Sequence, residues 1–195
     1  MPASQRKIVP ADILSDSEYG AQRDALRKAL VAVKKNRRVE VGPFATFYFE
    51  NYDTMWQQVM EMLRIEKGGT EQIAGELETY NPLIPQGREL LATLMLEIED
   101  AGVRDRALLT LGGIEETIFM DVGTERVEAT PTEYEDRTTP DGKTSSVHWL
   151  RFSFTPEQIA KFRSARAVLG VGHANYGHMA VLPDAVRAEL AKDFA

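Results

Sequence analysis

The chain has 195 residues, 43% of them hydrophobic and 27% charged, with a formal net charge of −7 and no cysteine. That length can bury one full core. The acidic balance argues against a nucleic-acid or anionic-membrane surface, and the absence of thiols excludes disulfides, thiolate catalysis and cysteine-ligated zinc or iron–sulfur centres. No apolar run approaches the roughly 18 residues that a membrane span needs. The N-terminus, MPASQRKIVPADIL, has no apolar signal core, so a cytoplasmic, bacterial-style protein is expected.

Residues 1–11 read as an extended N-terminal arm of a single domain spanning 1–195. Ser15-Asp16-Ser17-Glu18 is a capping box that opens a helix running to about Lys35. Its expected buried side is Tyr19, Ala25, Leu26, Leu30 and Val33. Lys34, Lys35, Arg37 and Arg38 follow and read as cations complementing the helix C-terminus.

Val39–Val41 and Phe44–Glu50, joined by Gly42-Pro43, predict a β-hairpin. Asn51 or Asp53 caps a helix over about 53–67, which Gly68-Gly69 ends. Thr70 caps a short helix that stops at Asn81-Pro82. Tyr80-Asn81-Pro82-Leu83-Ile84-Pro85 reads as a rigid turn. Leu90–Glu99 alternates as a strand, and Val103–Leu111 reads as a helix closed by Gly112-Gly113. A second hairpin turns at Gly123, between 117–122 and 126–130.

Residues 131–144 form the longest polar loop, and Ser146–Phe154 is a strand. Thr155-Pro156-Glu157 starts a helix, Ala167–Val171 is a short strand, and Leu182-Pro183-Asp184 opens a final helix to about Asp193. Hairpins dominate, and strands do not alternate regularly with helices. The predicted fold is α+β, a mainly antiparallel sheet packed with about five helices.

Candidate chemistry gathers on carboxylates at apolar faces, where an uncompensated charge is costly. Glu50 ends an aromatic strand. On the following helix, a turn of about 100° per residue puts Met55, Val59, Met62 and Glu66 on one stripe and Glu61 toward Gln57 and Arg64. Glu66 is therefore the anomaly, set against simple fraying in the last turn, and Glu61 is expected to be solvated. Glu97 shares a half-apolar strand face with Leu91, Thr93 and Met95.

His148 falls on the apolar face with Leu150, Phe152 and Phe154, as core histidines do. Arg151, on the opposite face, could pair with Glu97. His173 and His178 are five residues apart, not at helical metal-pair spacing. A Glu/His site for iron or zinc would draw on Glu50, Glu66, Glu97, His148 and His173. No Glu-x-x-His, Ser/His/Asp or dinucleotide fingerprint is present.

The segments FENYDT, QQVMEMLRIEK, ELETYNPLIP, LLATLMLEIED, SSVHWLRF, HANY and VRAELAKDF, in this order along nearly the whole chain, resemble the bacterial family known as "domain of unknown function 3501". The family pattern His-Pro-Asn-Tyr here reads His173-Ala174-Asn175-Tyr176. The resemblance implies an association with redox or peroxide-stress metabolism, beside rubrerythrin-like proteins and iron–sulfur oxidoreductases.

The resulting expectation is an accessory protein contributing a Glu/His-lined, metal-binding site. Two alternatives stand beside it. One is a non-catalytic module that docks a redox partner through the Met/aromatic helix or the YNPLIP turn. The other is a small-molecule enzyme using Glu66 or Glu97 as base.

Overall fold

Strands β1 (Arg38–Val41), β2 (Ala45–Glu50), β3 (Glu89–Leu96), β4 (Ile118–Val122), β5 (Glu125–Pro131), β6 (Val147–Ser153), β7 (Ala167–His173) and β8 (Tyr176–Val181) form one antiparallel sheet, in the order β1-β2-β3-β6-β5-β4-β7-β8. The structure, a computed structural model, describes residues 6–132 and 137–195. Among the described residues six α-helices accompany the sheet: α1 (Asp16–Lys35), α2 (Tyr52–Glu66), α3 (Gly69–Tyr80), α4 (Ala101–Leu109), α5 (Pro156–Ser164) and α6 (Asp184–Leu190). The fold is α+β, and the sheet is nearly barrel-shaped.

Alternation along the strands decides what the barrel encloses. Phe47 and Phe49 of β2, Leu90, Ala92 and Leu94 of β3, and Leu150 and Phe152 of β6 point inward, with Met120, Leu169 and Val171 from the far side. The two edges meet where β8 comes against β1. The Tyr176 hydroxyl joins them. It donates to Val41 O at 2.7 Å and accepts from Phe44 N at 3.1 Å and Ala45 N at 3.0 Å. Gly42 sits under this junction at φ 73°, and a Cβ there would fall 2.6 Å from both the Tyr176 hydroxyl and the His178 ring. Both the backbone angle and the space therefore call for glycine.

The outer face of β2, β3 and β6 has a second core. Met55, Trp56, Val59 and Met60 of α2 pack there with Tyr19, Leu77, Leu83, Ile84 and Leu91. The arm joins this layer from residue 6 onward. Ile8 is buried, Asn81 bonds both its N–H and its carbonyl, and Trp56 Nε1 donates to Asp12 O.

Several expectations are corrected. Along α1 only Tyr19 is buried. Ala25 is exposed, and Leu26, Leu30 and Val33 are half-buried. Arg37 is not a solvated helix-end cation. It is 2% exposed, and its guanidinium donates to Phe49 O, Glu50 O and the carboxylate of Asp193. Strand β8 was absent from the sequence reading, since its exposed outer residues give no alternating pattern. The predicted loop 131–144 begins inside β5, residues 133–136 lie outside the described residues, and Thr138 bridges to Thr144.

Candidate functional site

Glu50 is the last residue of β2, on the outer face, where Thr46, Tyr48 and Glu50 alternate with the inward Phe47 and Phe49. Asn51 then breaks the strand and caps α2, its side chain accepting from Thr54 N at 3.0 Å. That cap places the Thr54 hydroxyl back over the strand end, 2.6 Å from Glu50 Oε2. The neighbouring strand supplies the second donor, Thr93 Oγ1, 2.7 Å from Oε1. The carboxylate is thus buried, with the residue 8% exposed, and each oxygen is held by one hydroxyl. Among the described residues no cation lies within ion-pair distance of it.

This carboxylate opens onto a cavity of about 370 Å³ between the sheet and the helices. Thr93 and Met95 of β3, Val147 and Trp149 of β6, and Tyr48 line the sheet side. Met55, Gln58, Tyr80 and Leu83 line the helix side, and the exposed Lys34 reaches in from the end of α1. The register sets these walls, since Thr93 lies opposite both Tyr48 and Trp149, and Met95 opposite Val147. The Arg137 guanidinium stands 4.9 Å from the Trp149 ring centre.

A larger cavity, about 580 Å³, lies along the N-terminal arm. Of its polar lining, Arg6 is engaged with Pro85 O and Asp193 O, and Asn81 with Ile8, while Lys7 and Glu78 also face it.

The other carboxylates of the sequence reading lie elsewhere. Glu66 is exposed at the end of α2 and accepts from Gln72 Nε2 at 2.7 Å, as a frayed last turn allows. Glu61, expected to be solvated, instead takes 2.8 Å bonds from Arg23 Nε and Nη2 and a 2.7 Å bond from the Tyr19 hydroxyl. The Arg23 bond holds its carboxyl below the usual range. Glu97 accepts from Thr46 Oγ1 at 2.6 Å and from Tyr48 at 2.8 Å, with Arg38 at 3.5 Å. The Thr46 bond is the main cause of its lowered pKa. Arg151 does not meet Glu97. The β3–β6 register sets it opposite Leu91, and its Nη1 lies 3.6 Å from Glu89.

His148 is a core histidine, 1% exposed, with Nε2 2.8 Å from Ser145 O. Its Nδ1 faces Glu115 Oε2 at 3.7 Å, and neither of these buried atoms has a hydrogen-bond partner. Burial pushes the imidazole pKa down, and Glu115 opposes that. His173 has both ring nitrogens engaged, Nε2 with Gly112 O and Nδ1 with Asn175 N, each at 3.2 Å. With Asn175 Nδ2 on Thr110 O, it pins the β7–β8 turn to the segment after α4.

Among the described residues no group of three or more His, Asp or Glu side chains is placed to hold a metal ion. No helix there is long and apolar enough to cross a membrane. Sequence reasoning missed Thr54 and Thr93 as the partners of Glu50, and it missed Glu115. Thr54 could have been found, because it stands four residues after Glu50 at a capping position. Glu115 lies in a short 3-10 turn with no periodicity to mark its burial.

This architecture is similar to a crystal structure described as that of a novel protein of unknown function from Burkholderia pseudomallei K96243. The two share 35% sequence identity and a TM-score of 0.90, over 97% of this chain and 100% of that chain. The model of the family described as protein of unknown function (DUF3501) matches residues 7–194. No curated protein sequence matches.

Proposed function

We propose, for a chain that belongs to the family described as protein of unknown function (DUF3501), that it binds a small organic molecule in the cavity beside Glu50, with that carboxylate as polar anchor and base. The observation that carries this reading is a buried carboxylate with no cationic partner among the described residues, held by Thr54 and Thr93 at the wall of a cavity of about 370 Å³. Aromatic and apolar walls with a few convergent polar groups are the usual make-up of a ligand site. Each Glu50 oxygen keeps a lone pair beyond its hydroxyl bond. It can therefore accept a proton or a hydrogen bond from a molecule in the cavity, while the two threonines keep it from turning away.

Thermal-shift screening against small metabolites, repeated with Glu50→Gln, tests the reading. A compound that raises Tm for the wild type and not for the variant supports it. Stabilisation that is indifferent to Glu50 places the ligand elsewhere.

The accessory role in redox or peroxide-stress metabolism, beside rubrerythrin-like or iron–sulfur proteins, rests on the family resemblance. Its metal-binding form has less support in the geometry. His148 and Glu115 supply two donor atoms of types that iron or zinc accept, and no third His, Asp or Glu joins them among the described residues. Elemental analysis of purified protein tests it, with iron or zinc near one per chain as the supporting result.

A further inference from the structure

Resting on the Glu50 cavity as a ligand site, we propose that its ligand carries a positively charged nitrogen, as a protonated amine or an amidine does, seated against Glu50 with an apolar body between Trp149 and Tyr80. The first ground is charge. Buried carboxylates in folded chains are normally met by a cation. The chain's own guanidinium nearest this strand end, Arg37, is spent on the backbone carbonyls of Phe49 and Glu50 and on Asp193. Thr54 and Thr93 supply hydrogen bonds and no charge, so they orient the carboxylate without neutralising it.

The second ground is the walls. Tyr48, Tyr80 and Trp149 all line the cavity, and aromatic faces attract cations; the chain's own Arg38 and Arg137 stand 5.7 Å and 4.9 Å from the Tyr48 and Trp149 ring centres, and Tyr80 is the ring with no such neighbour among the described residues. Met55, Leu83 and the partly exposed Met95 add apolar wall suited to the body of the ligand. The third ground concerns the opposite sign. Arg137 stands 4.9 Å from the Trp149 ring centre, and among the described residues Lys34 is the one basic residue lining this cavity, where it is exposed. Water screens its repulsion of a cation seated at Glu50, and it favours a ligand whose far end is neutral or anionic.

Three probes of matched shape separate the possibilities: benzylammonium, benzyl alcohol and benzoate, titrated into the full chain. The readout is the amide resonances of Thr54 and Thr93 and the indole N–H of Trp149. Benzylammonium is expected to shift these signals saturably. Benzyl alcohol should bind about ten-fold more weakly, the loss of one charge-assisted contact, and benzoate more weakly still. In Glu50→Gln, benzylammonium should fall to the level of the alcohol. If Glu50→Gln does not fold, the ranking of the three probes on the wild type decides.

Equal or tighter binding of the alcohol or of benzoate overturns the cationic ligand and leaves the cavity reading standing. So does benzylammonium binding that Glu50→Gln leaves unchanged. If none of the three moves the Thr54, Thr93 or Trp149 signals at about 10 mM, a concentration at which even weak fragments register, the cationic ligand and the cavity reading fall together.

Discussion

The hydroxyl of Tyr19 donates to Glu61 Oε1 at 2.7 Å, joining the first turn of α1 to the middle of α2. Tyr19 is fully buried, and Arg23, one turn further along α1, grips the same carboxylate through Nε and Nη2. One glutamate therefore fastens a helix that otherwise buries little.

Replacing Glu61 with Ala leaves a buried phenol without its acceptor. The expected loss is about 1–3 kcal/mol, the usual cost of an orphaned buried polar group. Glu66→Ala, at an exposed position bonded to Gln72, should cost less than about 0.5 kcal/mol. Urea melts of the two variants check the contrast, and equal losses would contradict the fastening role.

Barrel closure depends on Tyr176 in the same way. Tyr176→Phe keeps the ring and removes three hydrogen bonds, those to Val41 O, Phe44 N and Ala45 N. The cost should be about 1–3 kcal/mol, since a carbonyl and two amides lose a partner at a largely buried junction. Hydrogen exchange at the amides of Phe44 and Ala45 should quicken more than at strand β3, which this bond does not touch.

Stability should also depend on His148. Burial depresses its folded-state pKa below the ordinary value near 6.5. As pH falls through about 6.5, the unfolded chain takes up a proton that the folded chain resists, so the slope is toward unfolding in acid. Glu115 opposes the shift and Arg137 adds to it. Asp193 works in the reverse sense, because burial raises its carboxyl and acid favours its protonated form. The two are separated by His148→Gln, which should flatten the loss of stability between about pH 6.5 and 5 in urea melts. An unchanged slope would remove His148 as its source.

The strands were largely legible because their apolar residues recur at period two. Leu90, Ala92 and Leu94, and Leu150 with Phe152, fall on the barrel interior as that period requires, and Glu97 and Arg151 fall outside. Three caps were legible too, since Ser15, Asn51 and Thr155 bond their N3 amides, whereas Thr70 lies inside α3, whose N-cap is Gly68 with no side-chain bond. What escaped depends on register and closure. No local pattern says that Thr93 will lie opposite Tyr48, or that Arg151 will lie opposite Leu91 rather than near Glu97. Helical phase marked Glu66 as the anomalous carboxylate of α2. The packing of α1 across α2 made Glu61 the engaged one instead, and one helix's periodicity carries no record of its neighbour. Of the five site candidates, Glu50 is the one that lines the cavity of about 370 Å³.

Arg37 is the most consequential residue that the sequence reading misplaced. Its guanidinium ties the end of β2 to Asp193, and Glu189 of α6 stands 3.6 Å from Nη1. Arg37→Ala should cost about 3–5 kcal/mol, because a buried carboxylate and two carbonyls lose their partner together. Arg37→Lys should recover little, since one ammonium cannot reproduce the fork that spans Phe49 O, Glu50 O and Asp193. The double variant Arg37→Met/Asp193→Leu removes both charges and keeps the volume. It should therefore be more stable than Arg37→Ala, as apolar replacements of buried ion pairs often are. Urea melts of the three variants give the ranking. A double variant no more stable than Arg37→Ala would show that the carbonyl bonds, and not the ion pair, hold the C-terminal segment to the strand that carries Glu50.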